Sequence, residues 1–159
     1  MIGAVNTLLR VKKVREEKAL AWMRSRRDAV EAAEQLVAEA KAAVQLSKQT
    51  MPEREAELWK PIIQKVVDMD AIDDVEAAVK ELEAAHQRLK DRATRADHTL
   101  EKRREELAEA TEAHKRAQAA VDKYEMLRDE VKAEADAEAA YAEEVELEDL
   151  AGRKVAPVA

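Results

Sequence analysis

The clearest pattern in the sequence is a regular spacing of apolar side chains through its second half. From Ile72 to Ala135, steps that alternate between three and four residues give 18 steps over 63 residues, a period of 3.5. Such a sustained repeat is typical of the seam of a left-handed coiled coil, and it predicts one helix from about residue 70 to about 140. At 1.5 Å per residue this helix would be roughly 105 Å long. Fifteen of the 19 seam positions are apolar or tyrosine. The 19 positions are Ile72, Val75, Val79, Leu82, His86, Leu89, Ala93, Ala96, Leu100, Arg103, Leu107, Ala110, His114, Ala117, Val121, Tyr124, Arg128, Val131 and Ala135.

The first half carries a looser stripe. Ten steps from Leu8 to Val44 cover 36 residues, a period of 3.6, which predicts an amphipathic helix with a nearly straight apolar stripe. We expect this helix to run from about residue 3 to about residue 60. The stripe consists of Leu8, Val11, Arg15, Ala19, Trp22, Arg26, Val30, Ala33, Val37, Ala40 and Val44.

Two prolines interrupt the middle of the chain. Thr50 and Glu53 have the spacing of a capping box, with Pro52 between them, so the first helix either restarts near residue 50 or bends without a break. Pro61 lacks a backbone donor and restricts the residue before it, which predicts the end of the helix. Asp70 is a suitable cap for the next helix. A bend is therefore expected over about residues 61–69.

These elements predict the fold class: an all-α protein whose residues 1–150 form one long two-helix antiparallel coiled-coil hairpin. Residue i of the first helix would face about residue 133 − i of the second. Residues 141–159 would be an acidic, frayed tail beyond the hairpin. A parallel dimer of two chains is the competing arrangement, but prolines near the middle favour a hairpin that is monomeric in isolation.

Composition supports long helices and limits the size of the core. Of 159 residues, 33 are alanine, 40% are charged, and glycine occurs only at positions 3 and 152. The net charge is −7, with residues 1–27 strongly basic and residues 129–149 strongly acidic. This distribution argues against a nucleic-acid partner and favours a protein partner. The sequence has no membrane span and no clear signal peptide.

Candidate chemistry is sparse, and we interpret the protein as a non-enzyme with no catalytic residue, metal or cofactor. There is no cysteine and no glycine-rich phosphate loop. His86 and His114 fall on the seam four heptads apart, too far to share a metal, so they are expected to be polar seam residues, and His98 to be solvated. Four arginines interrupt the stripes, with their stems expected on the seam and their guanidinium groups reaching water or a glutamate across it: Arg15, Arg26, Arg103 and Arg128.

Two clusters are candidates for partner binding. The bend holds large apolar residues that either close the end of the hairpin or form an exposed patch: Leu58, Trp59, Ile62, Ile63, Val66 and Val67. Near the N-terminus, basic residues could form a docking patch at the open end: Arg10, Lys12, Lys13 and Arg15.

Three segments carry a resemblance to a known family. The N-terminal "LLRVKKVREEKA" (8–19), the central "EREAELWKPII" (53–63) and the Ala/Glu/Arg-rich second helix resemble the YscO-type proteins of type III secretion systems, which are similar to the flagellar export protein FliJ. The resemblance implies a cytoplasmic hairpin at the base of the secretion apparatus, acting as the central stalk of the export ATPase. The open end would enter the ATPase hexamer, and the tip would face the cytoplasmic ring of the export-gate protein. Escort of secretion chaperones is a further role that the resemblance implies, and no direct membrane insertion is expected.

Two other functions remain open from the residues alone. A prefoldin-like coiled-coil holdase would clamp unfolded clients between helix tips. A structural coiled-coil spacer would dimerise in parallel.

Overall fold

Two long α-helices account for nearly all of the chain. The computed structural model describes residues 1–155, with side chains through residue 153. Helix α1 spans Ile2–Trp59 and helix α2 spans Met69–Val155, and no strand occurs within residues 1–155. The two helices pack against each other within one chain. The predicted all-α antiparallel hairpin is therefore confirmed, in place of the parallel dimer.

The chain divides into two compact units. The terminal unit consists of Met1–Met23 and Ala110–Ala159, and the bend unit of Arg24–Glu109. Each unit contains one segment of α1 packed on one segment of α2.

The bend unit holds the best-defined hydrophobic core. Its buried members are Val30, Ala33 and Val37 of α1 with Leu100 of α2, and Ala96 and Leu107 pack against them. Polar pairs join the helices across this unit, and three of them show the direction of packing. Lys41 Nζ lies 3.4 Å from Asp97 Oδ1, Arg104 Nη2 lies 3.6 Å from Glu34 Oε1, and Ser47 Oγ lies 2.8 Å from His86 Nδ1. Positions that rise along α1 meet positions that fall along α2, so the packing is antiparallel.

The terminal unit has the same antiparallel packing but a more polar interior. Val5 and Leu9 of α1 are buried, as are Val121 and the fully enclosed Ala110 of α2. His114 Nε2 lies 2.8 Å from Glu16 Oε1, and Lys13 Nζ lies 3.7 Å from Glu125 Oε1. Few large apolar groups are enclosed here, so polar pairs make up much of the contact.

The predicted seam of α2 is confirmed almost throughout. Every position from Ile72 to Val131 in the 3.5-residue series is buried or half-buried, and only the last, Ala135, is exposed. The apolar pattern was sufficient to find this face because nearly all its members are apolar.

The predicted stripe of α1 is wrong over its first 22 residues. Leu8, Val11, Arg15 and Trp22 are exposed, and Ala19 is the one member of the stripe before Arg26 that lies on the face against α2. The stripe follows that face from Arg26 onward. The buried face of α1 follows the same 3.5-residue period as α2, and the polar residues Lys12 and Glu16 near its start obscured the pattern. Its members are Val5, Leu9, Lys12, Glu16, Ala19, Met23, Arg26, Val30, Ala33, Val37, Ala40, Val44 and Ser47.

Helix α1 continues through Pro52, which decides between the two readings of that segment. Thr50 is not a helix cap, because its Oγ1 donates to the carbonyl oxygen of Leu46 at 2.9 Å, one turn back in the same helix. The backbone break occurs later, at Trp59.

The bend begins directly after Trp59. The amides of Ile62 and Ile63 both donate to the Trp59 carbonyl, at 3.0 and 3.1 Å, and continue the helical winding for one loose turn. Gln64 then adopts a φ of 59°, the left-handed conformation that commonly ends a helix. The amide of Lys65 donates to the Ile62 carbonyl at 3.3 Å, and this closes the reversal.

Asp68, not Asp70, caps the second helix. Its Oδ1 accepts a hydrogen bond from the amide of Ala71 at 3.0 Å, the geometry of an N-cap to the third helical residue. Asp70 lies in the first turn, where its negative charge interacts favourably with the helix dipole. The sequence offered two aspartates two residues apart, and the true cap depends on where the backbone enters the helix.

Helix α2 ends at Val155, about 15 residues beyond its predicted end near residue 140. Residues 132–153 are exposed throughout. Alanine and glutamate have high helix propensity, so this segment stays helical without a packed face. Of the predicted tail, residues 141–155 are helical and residues 156–159 lie outside the described residues.

The left-handed conformation of Gln64 yields a stability prediction. A non-glycine residue there is penalised by contact between its Cβ and the backbone. We expect Gln64→Gly to raise the free energy of unfolding by roughly 0.5–1 kcal/mol, after allowing for the greater freedom of glycine in the unfolded chain. Chemical denaturation followed by circular dichroism measures this. The control, Gln64→Ala, keeps the Cβ and should change little, so equal effects of Ala and Gly would contradict the explanation.

Candidate partner-binding surfaces

The apolar cluster at the bend separates into two groups. Leu58, Trp59, Ile62 and Val67 are half-buried and close the end of the helix pair, whereas Ile63 is more than half exposed and Val66 is fully exposed. Met69, which the sequence analysis missed, is also exposed beside them. A methionine at a helix start gives no pattern that marks it as surface. We call the exposed set Ile63, Val66 and Met69 the tip patch.

The tip patch is suited to binding an apolar surface of another protein. Exposed large aliphatic side chains cost free energy in water, and where they cluster they usually mark an interaction site. Backbone hydrogen bonds from Ile62 and Ile63 to the Trp59 carbonyl hold this part of the bend. Both readings of the bend cluster therefore apply, each to different residues.

The four basic residues near the N-terminus do not form one patch. Lys12 lies on the buried face, with its Nζ 5.4 Å from the centroid of the Tyr124 ring, a cation–π contact. Lys13 is paired with Glu125. Arg10 and Arg15 are exposed and make no ion pair within the described residues. Only these last two are free to meet a partner.

Arg10 and Arg15 share a shallow surface groove with apolar neighbours. The groove is lined by Arg10, Val11, Val14, Arg15 and Lys18, all on α1. We call it the basic groove. It combines aliphatic surface with three cationic groups, an arrangement that fits an acidic protein surface with apolar side chains of its own.

One charged cluster lies on the seam of the bend unit. Arg26 Nη1 donates across the helices to Glu106 Oε2 at 3.2 Å, and Arg103 Nη1 donates to both oxygens of the same carboxylate at 3.1 and 3.0 Å. The expected pairing of a seam arginine with a glutamate across the helices is confirmed for Arg26. Arg103 instead reaches a glutamate on its own helix, Arg128 pairs with its neighbour Asp129, and Arg15 is exposed.

Glu106 is held ionised by this cluster. The hydrogen bond from Arg103 is the largest cause, and the charges of Arg103, Arg26 and Lys102 add to it. Together they lower the pKa of Glu106 below its ordinary value of 4.5, although partial burial opposes the shift. Among the described residues Arg26 Nε is buried without a hydrogen-bond partner, whereas Arg26 Nη1 donates to the Glu106 carboxylate.

The two seam histidines each bond to a polar residue of α1. His86 lies 2.8 Å from Ser47 Oγ, and His114 Nε2 donates to the Glu16 carboxylate at 2.8 Å. Both histidines are half-buried, as expected of polar seam residues, and His98 is exposed. Among the described side chains, no three His, Asp or Glu come together in a way that could hold a metal ion.

Neither helix, as far as residue 155, has a stretch apolar and long enough to cross a lipid bilayer.

Comparison with known proteins agrees with the resemblance seen in the sequence. The family model described as type III secretion protein YscO matches residues 5–153. Among solved structures, the 2.8 Å crystal structure of type III secretion protein YscO from Vibrio parahaemolyticus is similar, with a TM-score of 0.85 and 22% identity, over 93% of each chain. At that identity the likeness supports the fold. No curated protein matches the chain.

The Glu106 cluster predicts a specific dependence of stability on pH. Because the folded pKa lies below the ordinary value of 4.5, the carboxylate stabilises the fold above that value, and its contribution is lost as the pH falls through the folded pKa. We expect Glu106→Gln to lower the melting temperature near neutral pH. The difference from wild type should shrink as the pH falls below about 4.

The matched control for this experiment is Glu105→Gln. Glu105 is exposed and makes no ion pair within the described residues. Melting curves for both variants across the acid range test the assignment. A Glu106→Gln penalty that is constant with pH, or one shared by Glu105→Gln, would contradict it.

Proposed function

The chain belongs to the family of type III secretion protein YscO, and from this premise we propose that it acts as the coupling stalk of a secretion ATPase. In this role it links the ATPase hexamer to the cytoplasmic ring of the export-gate protein. It would act in the cytoplasm at the base of the apparatus and would not itself catalyse a reaction. Escort of secretion chaperones is a further part of the proposal.

The observation that carries the proposal is the presence of two chemically different surfaces in two different units. The basic groove lies in the terminal unit, and the apolar tip patch lies in the bend unit. Two surfaces of unlike chemistry suit two unlike partners. The family match covers both, since it runs from residue 5 to residue 153.

The packing also favours a protein that works through its surfaces. Each unit buries only a narrow stripe of Ala, Val and Leu, and part of that stripe is polar. Two helices alone enclose no apolar cavity of the kind that shields a reacting group from water. The remaining faces of both helices are exposed along most of their length and are therefore available to partners.

The basic groove is the part we assign to the ATPase. Exposed ion pairs contribute only about 0–1 kcal/mol each, so a contact built from Arg10, Arg15 and Lys18 could form and break readily. That property suits a coupling element that meets several similar subunits in turn. The tip patch, with its larger apolar side chains, is the part we assign to the export gate.

The tip assignment is tested by Ile63→Ser combined with Val66→Ser. Both side chains are exposed, so their loss should leave the helices intact. Binding to the purified cytoplasmic domain of the export-gate protein should weaken by about tenfold or more, as for interface anchors worth at least 1.4 kcal/mol. Isothermal titration calorimetry measures the affinity.

The matched control replaces Leu36 and Leu46 by serine. Both leucines are exposed on α1 in the bend unit, outside the tip patch. This variant should bind the gate domain like wild type. Unchanged affinity of the tip variant, or an equal loss in the control, would remove the tip assignment. Suppression of client aggregation by the wild-type chain would instead favour a holdase.

The ATPase assignment is tested by Arg10→Glu combined with Arg15→Glu. Stimulation of the purified secretion ATPase should fall several-fold, because two attractive charges become repulsive. Lys12 and Lys13 are engaged within the chain, so reversing them should affect stimulation less. The control, Lys80→Glu with Arg95→Glu, reverses two exposed charges in the bend unit. If the Arg10/Arg15 variant stimulates the ATPase fully, the groove is not the contact.

A further inference from the structure

The first 22 residues of α1 carry a second apolar stripe that no described part of the chain covers. It consists of Leu8, Val11, Arg15, Lys18 and Trp22, which alternate in steps of three and four residues. Val14 lies alongside. The apolar members are between 37% and 45% exposed. We call this the outer stripe. Its spacing is that of a coiled-coil seam, although the seam that α2 covers lies on another face.

A second uncovered surface lies on the same unit, on the last part of α2. Tyr141, Glu144, Val145, Glu148 and Asp149 follow the i, i+3, i+4, i+7, i+8 spacing of one helix face, and all are exposed. Tyr141 is 70% exposed. We call this the tail face. None of its three carboxylates makes an ion pair within the described residues.

The two surfaces have opposite charges, and each also presents apolar side chains. The outer stripe and its neighbour Arg10 present apolar side chains among three cationic groups, Arg10, Arg15 and Lys18. The tail face presents Tyr141 and Val145 among three anionic groups. Helices that match in this way stabilise a contact through apolar burial and through paired charges at its edges.

The tail face cannot reach the outer stripe of its own chain. Lys13 pairs with Glu125, so the start of α1 is level with about residue 136 of α2. Helix α2 continues without interruption to Val155, and the tail face therefore extends beyond the first residue of α1. Contact between the two surfaces requires a second molecule.

We propose that a second copy of this chain covers both surfaces, with the tail face of each copy packed on the outer stripe of the other. If a two-fold axis relates the two copies, each tail face packs on the outer stripe of the partner. One dimer then covers two outer stripes and two tail faces. In an inverted copy the tail runs parallel to the partner's α1. The overlap is about 20 residues, or roughly 30 Å. An unrelated acidic partner would cover the stripe and leave the tail face open.

This dimer goes beyond the proposed stalk function. Its contact includes Arg10 and Arg15, so dimerisation and ATPase binding would compete for the basic groove. The dimer is tested on the purified chain alone. Its failure would leave the ATPase assignment standing, and a failed ATPase assignment would leave the dimer standing.

The first test is sedimentation of the purified chain over a range of concentrations. We expect a monomer–dimer equilibrium that shifts toward monomer at high salt, because exposed charges at the contact are screened. A chain that is monomeric at every concentration in low salt would overturn the proposal. So would a dimer that salt does not weaken.

The decisive test exchanges the charges. The stripe variant carries Arg10→Glu, Arg15→Glu and Lys18→Glu, and the tail variant carries Glu144→Lys, Glu148→Lys and Asp149→Lys. Each variant alone brings like charges together, so its dimer should weaken by about tenfold or more. Mixed one to one, both reciprocal contacts regain opposite charges, and a heterodimer should form as readily as the wild-type dimer.

Matched controls separate this result from misfolding. Circular dichroism of each variant should show unchanged helicity. Reversal of Lys80, Lys90 and Arg95, which are exposed in the bend unit, should leave the dimer unaffected. If the mixture of the two variants stays monomeric, the proposed pairing of tail face and outer stripe is wrong. It is also wrong if either variant alone dimerises like wild type. If the wild-type chain never dimerises and the stripe variant loses ATPase binding, the dimer proposal is wrong. The outer stripe would then be a binding surface for another protein.

Discussion

A polar side chain on the seam of a two-helix pair can bond only to the opposite helix or to a neighbour on its own helix. No third element can supply a partner, and water reaches the seam only from its edges. Four polar residues on the seam side of α1 meet a complementary group on α2: Lys12 with Tyr124, Glu16 with His114, Arg26 with Glu106, and Ser47 with His86. On α2 itself, Arg103 and Arg128 pair with carboxylates of their own helix. Leaving one of these groups unpaired would cost about 1–3 kcal/mol, so the pairs oppose sliding of the helices. Alanine-rich packing alone would resist sliding weakly, since alanines are nearly interchangeable along a seam.

The two-helix architecture also explains why so much of the protein surface is available for binding. Two helices can cover one stripe each, and the rest of both surfaces faces water. Most of that surface is Glu, Lys, Arg and Ala, which tolerate exposure. Against this background, exposed aliphatic or aromatic residues carry information about partners where they lie near one another on one surface. Ile63, Val66 and Met69 at the bend and Leu8, Val11 and Trp22 near the N-terminus form two such sets.

The sequence predicted well those features that depend on spacing alone. The seam of α2, the helix end near Pro61 and the antiparallel pairing all follow from period, proline position and length. Features that depend on the exact backbone path were not predictable. Asp68 rather than Asp70 became the cap, and Ile63 rather than Ile62 became exposed, because a left-handed residue at Gln64 sets the direction of the chain there. Lys12 looked like a docking residue until its place over Tyr124 was known.

The apolar stripe near the N-terminus was predicted to face α2, and most of it lies on the outer face of α1. Apolar periodicity locates a face that is suited to burial, but it does not identify what buries it. In the first 22 residues of α1 the outer face is about as apolar as the face against α2, which contains Lys12 and Glu16. Specific polar contacts to Tyr124 and His114 help to fix which of the two faces packs on α2. The start of α1 therefore has two stripes with coiled-coil spacing, and the α2 helix of the same chain covers one of them. The acidic tail face, which α2 carries past the end of α1, has the charge and spacing to cover the outer stripe.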